Sequence, residues 1–120
     1  MTDLYLHIAA TIKRLRTREG LSQEALASEI SEPANTVSRW ETATYRPSAD
    51  QLEKLARFFK ESITVFFPGM EKETEIPSAL LSATRGLKKK DMDEIVRYAE
   101  YRKARSVLAA ARRRRHRSDE

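Results

Sequence analysis

Residues 20–41 read Gly20-Leu-Ser-Gln-Glu-Ala-Leu-Ala-Ser-Glu-Ile-Ser-Glu-Pro-Ala-Asn-Thr-Val-Ser-Arg-Trp-Glu41. Two short helices are predicted inside this stretch. Ser22 caps the first, about Gln23–Glu29, whose buried face is Leu26, Ala27 and Ile30. Ser31-Glu32-Pro33 punctuates the chain: serine caps, glutamate favours the positive end of a helix dipole, and proline fits a first turn. The second helix is predicted over Pro33–Glu41. Val37 and Trp40 lie one turn apart on its inward face, which assigns the tryptophan to the core. Ala34, Asn35, Thr36, Ser38 and Arg39 remain outward, all small or hydrogen-bonding.

The flanks supply what these helices pack against. Upstream, Leu4, Ile8, Ile12 and Leu15 fall on one face of a helix over residues 4–18, and Gly20 ends it. Downstream, 42–47 reads as a loop. Ser48-Ala-Asp-Gln51 matches a capping box and opens a helix to about Phe59, with Leu52, Leu55, Ala56 and Phe59 as its stripe. A short fifth helix starts at Ser62 with Ile63, Phe66 and Phe67, and Pro68-Gly69 closes the unit. Residues 1–69 are therefore expected to form one unit, and the polar stretch 70–76 a linker. A second helical region follows over 77–111. It comprises a short helix over Pro77–Thr84, a break at Gly86, and a longer helix from Asp91 to about Ala111. Residues 112–120 carry Arg112-Arg-Arg-Arg-His-Arg117 and are expected to be a disordered basic tail.

Composition narrows the function. The chain has 120 residues, 23 Lys and Arg, 18 Asp and Glu, and no cysteine. Disulfide scaffolds, cysteine zinc sites and thiol nucleophiles are excluded. The two histidines, His7 and His116, stand far apart without clustered acidic ligands, so neither a metal site nor a Ser-His-Asp arrangement is expected. No cofactor and no enzymatic activity are expected either. No apolar run approaches a membrane span, and the N-terminus lacks a signal-peptide pattern, which points to a cytoplasmic protein. Three glycines, four prolines and many good helix formers predict an all-α chain. Residues 1–70 are net neutral and residues 71–120 carry the whole net charge of +5. A basic pI alone is thus no argument that the first half binds nucleic acid.

Two short helices joined by a tight turn and packed on a third have the geometry of a helix-turn-helix. A recognition helix must present short polar groups to a major groove about 12 Å wide while its other side is held rigid. Residues 8–67 resemble the lambda-repressor-like, Cro-type (XRE) helix-turn-helix family. The resemblance is carried by Ile12-Lys-Arg-Leu-Arg16, Gly20 to Ala27, Asn35 to Glu41, Pro47-Ser48 and Leu52-x-x-Leu-Ala56. It implies a five-helix DNA-binding domain, and the helices beyond it are expected to form a small dimerisation region. It also implies base contacts from Ala34, Asn35, Thr36 and Arg39, since arginine suits guanine and asparagine suits adenine. Phosphate contacts fall to Ser22, Gln23, Thr42, Tyr45 and Arg46. Arg16 and Glu41 match a structural pair that bridges the first helix to the end of the recognition helix. The chain departs from the family at Ser31 and Ala43, where glycine is common, and at Glu32, where an apolar residue is common.

One such unit covers half an operator, so a two-fold axis is needed. Leu80, Leu81, Leu87, Met92, Ile95 and Ala99 offer apolar surface for a homodimer; packing back on the first unit is the competing use of the same helices. The arginine run reads as a phosphate clamp, a contact for an acidic partner, or a solubilising tail. The expected function is a dimeric repressor that binds double-stranded DNA at a palindrome. The alternative is an antitoxin-like autoregulatory protein whose C-terminal region binds a protein partner, a toxin or a metallopeptidase. The latter follows from a second, shorter resemblance of Asp93–Ala104 to C-terminal helices of some XRE regulators.

Overall fold

The structure, a computed structural model, describes residues 3–69 and 77–119, the side chains of residue 3 and of 115–119 excepted. The expected linker 70–76 lies outside the described residues. The described chain is helical throughout: α1 Asp3–Arg18, α2 Gln23–Glu29, α3 Thr36–Glu41, α4 Ala49–Phe59, a 3₁₀ turn Ile63–Phe66, α5 Ser78–Thr84 and α6 Lys89–Asp119. No helix among the described residues is long and apolar enough to cross a membrane.

The periodic stripes meet in one core. Ile8, Ile12 and Leu15 of α1 are buried with Leu26 and Ala27 of α2, Val37 and Trp40 of α3, and Leu52, Leu55, Ala56 and Phe59 of α4. Ile63, Phe66 and Phe67 close its far end. Each large aliphatic or phenylalanine side chain among them contributes about 1.5–3 kcal/mol by leaving water. The capping box on α4 is complete: Ser48 Oγ accepts from Gln51 N–H at 3.1 Å and Gln51 Oε1 accepts from Ser48 N–H at 2.9 Å. The fifth helix is a 3₁₀ turn rather than an α-helix, opened by Ser62 Oγ accepting from Thr64 N–H.

Four helices end in the same motif. After α1, Leu21 N–H reaches Arg16 O and Gly20 N–H reaches Thr17 O. After α2 the pairs are Glu32 to Ala27 and Ser31 to Ser28; after α3, Thr44 to Arg39 and Ala43 to Trp40; after α4, Glu61 to Ala56 and Lys60 to Arg57. These are Schellman caps, which need a left-handed residue at their centre. Glycine supplies it only at Gly20. Ser31, Ala43 and Lys60 adopt φ of 58°, 58° and 57° in the other three. The two departures from the family's glycines are thus accommodated with the motif intact, and each costs about 1–2 kcal/mol against an unstrained backbone.

α3 starts later than its sequence suggests. Pro33–Asn35 is a turn closed by Thr36 N–H on Pro33 O, and the first helical bond runs from Arg39 N–H to Asn35 O. Glu32 does not serve the helix dipole there. Its carboxylate accepts from Gln51 Nε2 at 3.0 Å and from Lys54 Nζ at 2.8 Å, which fastens the turn to α4.

The C-terminal region differs most from expectation. α6 begins at Lys89 and its backbone stays helical through Asp119, where a disordered tail from residue 112 was expected. Ala109-Ala-Ala111 followed by arginines is good helix-forming sequence, which accounts for the continuation. Ala104, Leu108 and Ala111 of α6 are buried in the core of the first unit. Arg57 donates to both oxygens of Glu94 at 3.3 and 3.0 Å, and this bonding holds the Glu94 carboxyl below the usual carboxylate range. Glu53 takes purely ionic contacts from Arg57 at 3.0 Å and Arg97 at 3.6 Å. Half of α6 therefore packs back onto the first unit. α5 buries no residue.

Replacing a strained left-handed residue by glycine relieves the clash of its Cβ. Lys60→Gly, far from α3, is expected to stabilise the protein by about 0.5–1 kcal/mol. A urea unfolding midpoint that fails to rise would refute this account of the α4 cap.

Candidate nucleic-acid interface

The face of α3 opposite Val37 and Trp40 is the candidate reading surface. Ala34, Asn35 and Arg39 are exposed on it and Thr36 is half-buried. Asn35 precedes the helix at φ −93°, ψ 0°, and its side chain makes no capping bond. Arg39 is held from behind: its guanidinium carbon lies 4.8 Å from the centroid of the Tyr45 ring. Thr44 N–H and Tyr45 N–H both bond Arg39 O, at 2.9 and 3.2 Å, so the loop that supplies the ring is anchored to Arg39 itself. A cation held over an aromatic ring is attracted to it by about 0.5–1 kcal/mol at an exposed site.

The angle of α3 is set by a buried ion pair. Arg16 Nε donates to Glu41 Oε2 at 2.6 Å and Arg16 Nη2 to Glu41 Oε1 at 3.0 Å. Arg16 Nη1 also donates to Leu21 O at 2.8 Å, which draws the start of the α1–α2 connection into the same fork. The two side chains are 13% and 4% exposed. Hydrogen bonding to Glu41 raises the Arg16 pKa above its ordinary value, so the guanidinium keeps its charge. Gln23 Nε2 donates to Glu41 Oε1 at 3.1 Å. Gln23 thus joins α2 to the pair, a third member that spacing alone did not reveal.

The remaining sequence candidates cluster around this face. Ser22 Oγ accepts from Ala25 N–H at 3.0 Å, which uses a lone pair and leaves the hydroxyl hydrogen to donate. Gln23 keeps the second hydrogen of its amide and a first-turn backbone N–H. Thr42 Oγ1 bonds Ser38 O at 3.1 Å and Thr44 Oγ1 at 2.8 Å, capping α3. Tyr45 is exposed, and Arg46 lies half-buried with its guanidinium 4.6 Å from the Tyr5 ring centroid. Away from this cluster, Leu80, Leu81, Leu87 and Ala99 are exposed, and Met92 and Ile95 are half-buried.

Residues 12–66 match the family described as Helix-turn-helix. This segment belongs to the lambda-repressor-like, XRE-type helix-turn-helix family. A chain of the solved SinR protein/SinI protein complex is similar, with 25% identity, 81% of this chain and 98% of that chain covered, and a TM-score of 0.48. Comparison with curated proteins gives no significant match. The XRE segment ends at the 3₁₀ turn, so α5 and α6 lie beyond it. The match supports a DNA-binding transcriptional regulator, through residues 12–66.

Within the XRE segment the Arg16–Glu41 pair is open to test. Arg16→Ala leaves a carboxylate buried with one neutral donor. The expected loss of stability is about 3–5 kcal/mol, read from the urea midpoint. A loss under about 1 kcal/mol would make the pair an incidental contact.

Proposed function

We propose that the protein is a dimeric repressor that occupies a palindromic operator and reads it with α3. Residues 1–69 act as the DNA-binding unit, and residues 77–111 carry the dimer contact. The site of action is the cytoplasm, with the DNA. The observation that carries the reading is Arg39, exposed on the outward face and braced by Tyr45. A guanidinium held this way is prepared for bidentate contact with guanine O6 and N7 at little further entropic cost. Asn35, Ala34 and Thr36 extend the same face toward neighbouring base edges. Ser22 and Gln23 at the start of α2, with Thr42, Tyr45 and Arg46 after α3, flank it as phosphate contacts.

Support for a dimer comes from apolar surface that the first unit leaves uncovered. Leu80, Leu81, Leu87, Val96 and Tyr98 are between 39% and 61% exposed. They lie on α5, on the connection to α6 and on the first half of α6. A two-fold contact there would bring two α3 helices to successive major grooves, about 34 Å apart. Repression then needs only occupancy.

Selection of duplexes from a random pool at about 150 mM salt should recover one palindrome. Arg39→Ala should cost about 1–3 kcal/mol at that site and relax the sequence at one position of each half. Gln23→Ala should weaken all duplexes alike. Recovery of unselected DNA would sink the reading. In sedimentation at tens of micromolar the wild type should be a dimer, and Leu80→Ser with Leu81→Ser should yield a monomer. A monomeric wild type would reject self-association and turn attention to a protein partner at α5.

A further inference from the structure

A cavity of about 420 Å³ lies where the loop after α3, the start of α4 and the second half of α6 meet. Arg46, Arg105 and Arg112 line it, with Ser48, Asp50 and Tyr101. Three guanidinium groups thus share a wall with one carboxylate. That carboxylate is already engaged, because Tyr101 Oη donates to Asp50 Oδ1. Among the described residues, none of the three arginines is ion-paired with a carboxylate. Arg46 lies 4.6 Å from the Tyr5 ring centroid and Arg105 lies 5.9 Å from that of Tyr101. Contact with a ring face leaves a guanidinium its N–H donors. The floor adds more positive character. α4 is eleven residues long, and the N–H groups of Ala49 and Asp50 in its first turn have no acceptor within the helix.

We propose that this cavity seats a phosphate group. Fork-shaped donors from three arginines and a helix N-terminus match the tetrahedral oxygens of phosphate better than any neutral ligand. The group has two sources. It is a DNA backbone phosphate next to the one met by the loop after α3, or it belongs to a small phosphorylated molecule. In either case the seat joins α6 to the loop that braces Arg39. The DNA source extends the operator-binding reading above; the small-molecule source stands without it.

The test uses the full chain and the double substitution Arg105→Gln, Arg112→Gln. Both side chains are exposed, and thermal melts check that folding is kept. Arg102→Gln with Lys103→Gln, also exposed and outside the cavity, serves as the charge control. Affinity for a duplex of arbitrary sequence is followed across salt concentration, and pyrophosphate binding is measured separately by calorimetry without DNA. Neither readout depends on sequence recognition, so failure of the operator reading leaves both intact. The expected result is a salt slope reduced by about 0.9, one phosphate's worth, in the cavity variant and not in the control. That outcome assigns the seat to the DNA backbone. An unchanged slope, with pyrophosphate bound by wild type and lost in the cavity variant, assigns it to a small phosphorylated molecule. The proposal is overturned if neither readout changes, or if the control changes as much as the cavity variant.

Discussion

The Arg16–Glu41 pair is the constraint on which the orientation of α3 depends. α3 has six residues, less than two turns, and an isolated helix of that length does not persist in water. Its apolar anchors are Val37 and Trp40, one turn apart. Two points on one line leave rotation about that line poorly determined. Glu41 supplies the missing restraint at the end of the helix, tied to α1 through Arg16 and to α2 through Gln23. A buried ion pair adds little net stability compared with an apolar filling. Its value here is directional, because two parallel N–H···O bonds fix an angle that hydrocarbon contacts do not.

The Schellman caps bear on the same geometry from the other side. Each reverses the chain within about one turn, and two of them, at Ser31 and Ala43, bracket α3. Non-glycine residues there are strained, yet the bonds hold because neighbouring contacts over-determine the turn. Glu32 is clamped by Gln51 and Lys54 directly after Ser31. Ala43 is followed by two N–H groups that both end on Arg39 O. Backbone strain thus accumulates at both ends of α3, where the surrounding bonds can carry it.

Much of this was legible in the sequence, for identifiable reasons. The stripes of α1, α2 and α4 follow a strong 3.6-residue period, and Ser22 and Ser48 mark two starts that the structure shares. Trp40 was assigned inward from its spacing to Val37, and it is buried. Other features leave no periodic trace. Nothing local distinguishes Pro33 as a turn residue from Pro33 as a first helical residue; the tertiary pull of Lys54 and Gln51 on Glu32 accompanies the turn. The docking stripe of α6 is Ala104, Leu108 and Ala111, two of three being alanine, within a run dominated by arginine and lysine. Alanine favours a helix on any face, so the stripe reads as ordinary helix. Gln23 was legible as a polar residue at a helix start, but not as a ligand of Glu41, because the bond spans eighteen positions.

The double character of α6 follows from its length. Thirty-one residues extend roughly 46 Å, more than the first unit can cover. The half that holds Ala104, Leu108 and Ala111 is fixed to the core, and the half that precedes Tyr101 is tied by polar bonds to α4 while Val96, Tyr98 and Ala99 stay exposed. Separate faces of one rigid rod therefore serve separate ends. Because the rod is a single helix, force at either end is transmitted without a hinge. The exposed apolar side chains near its start and the arginines near its end therefore sit on one rigid element that crosses α4. Arg57–Glu94 and Tyr101–Asp50 lie at that crossing. The bonds that set the angle of α3 centre on Glu41, and those that orient α6 lie on α4, on the 3₁₀ turn and at Ala104, Leu108 and Ala111 in the core.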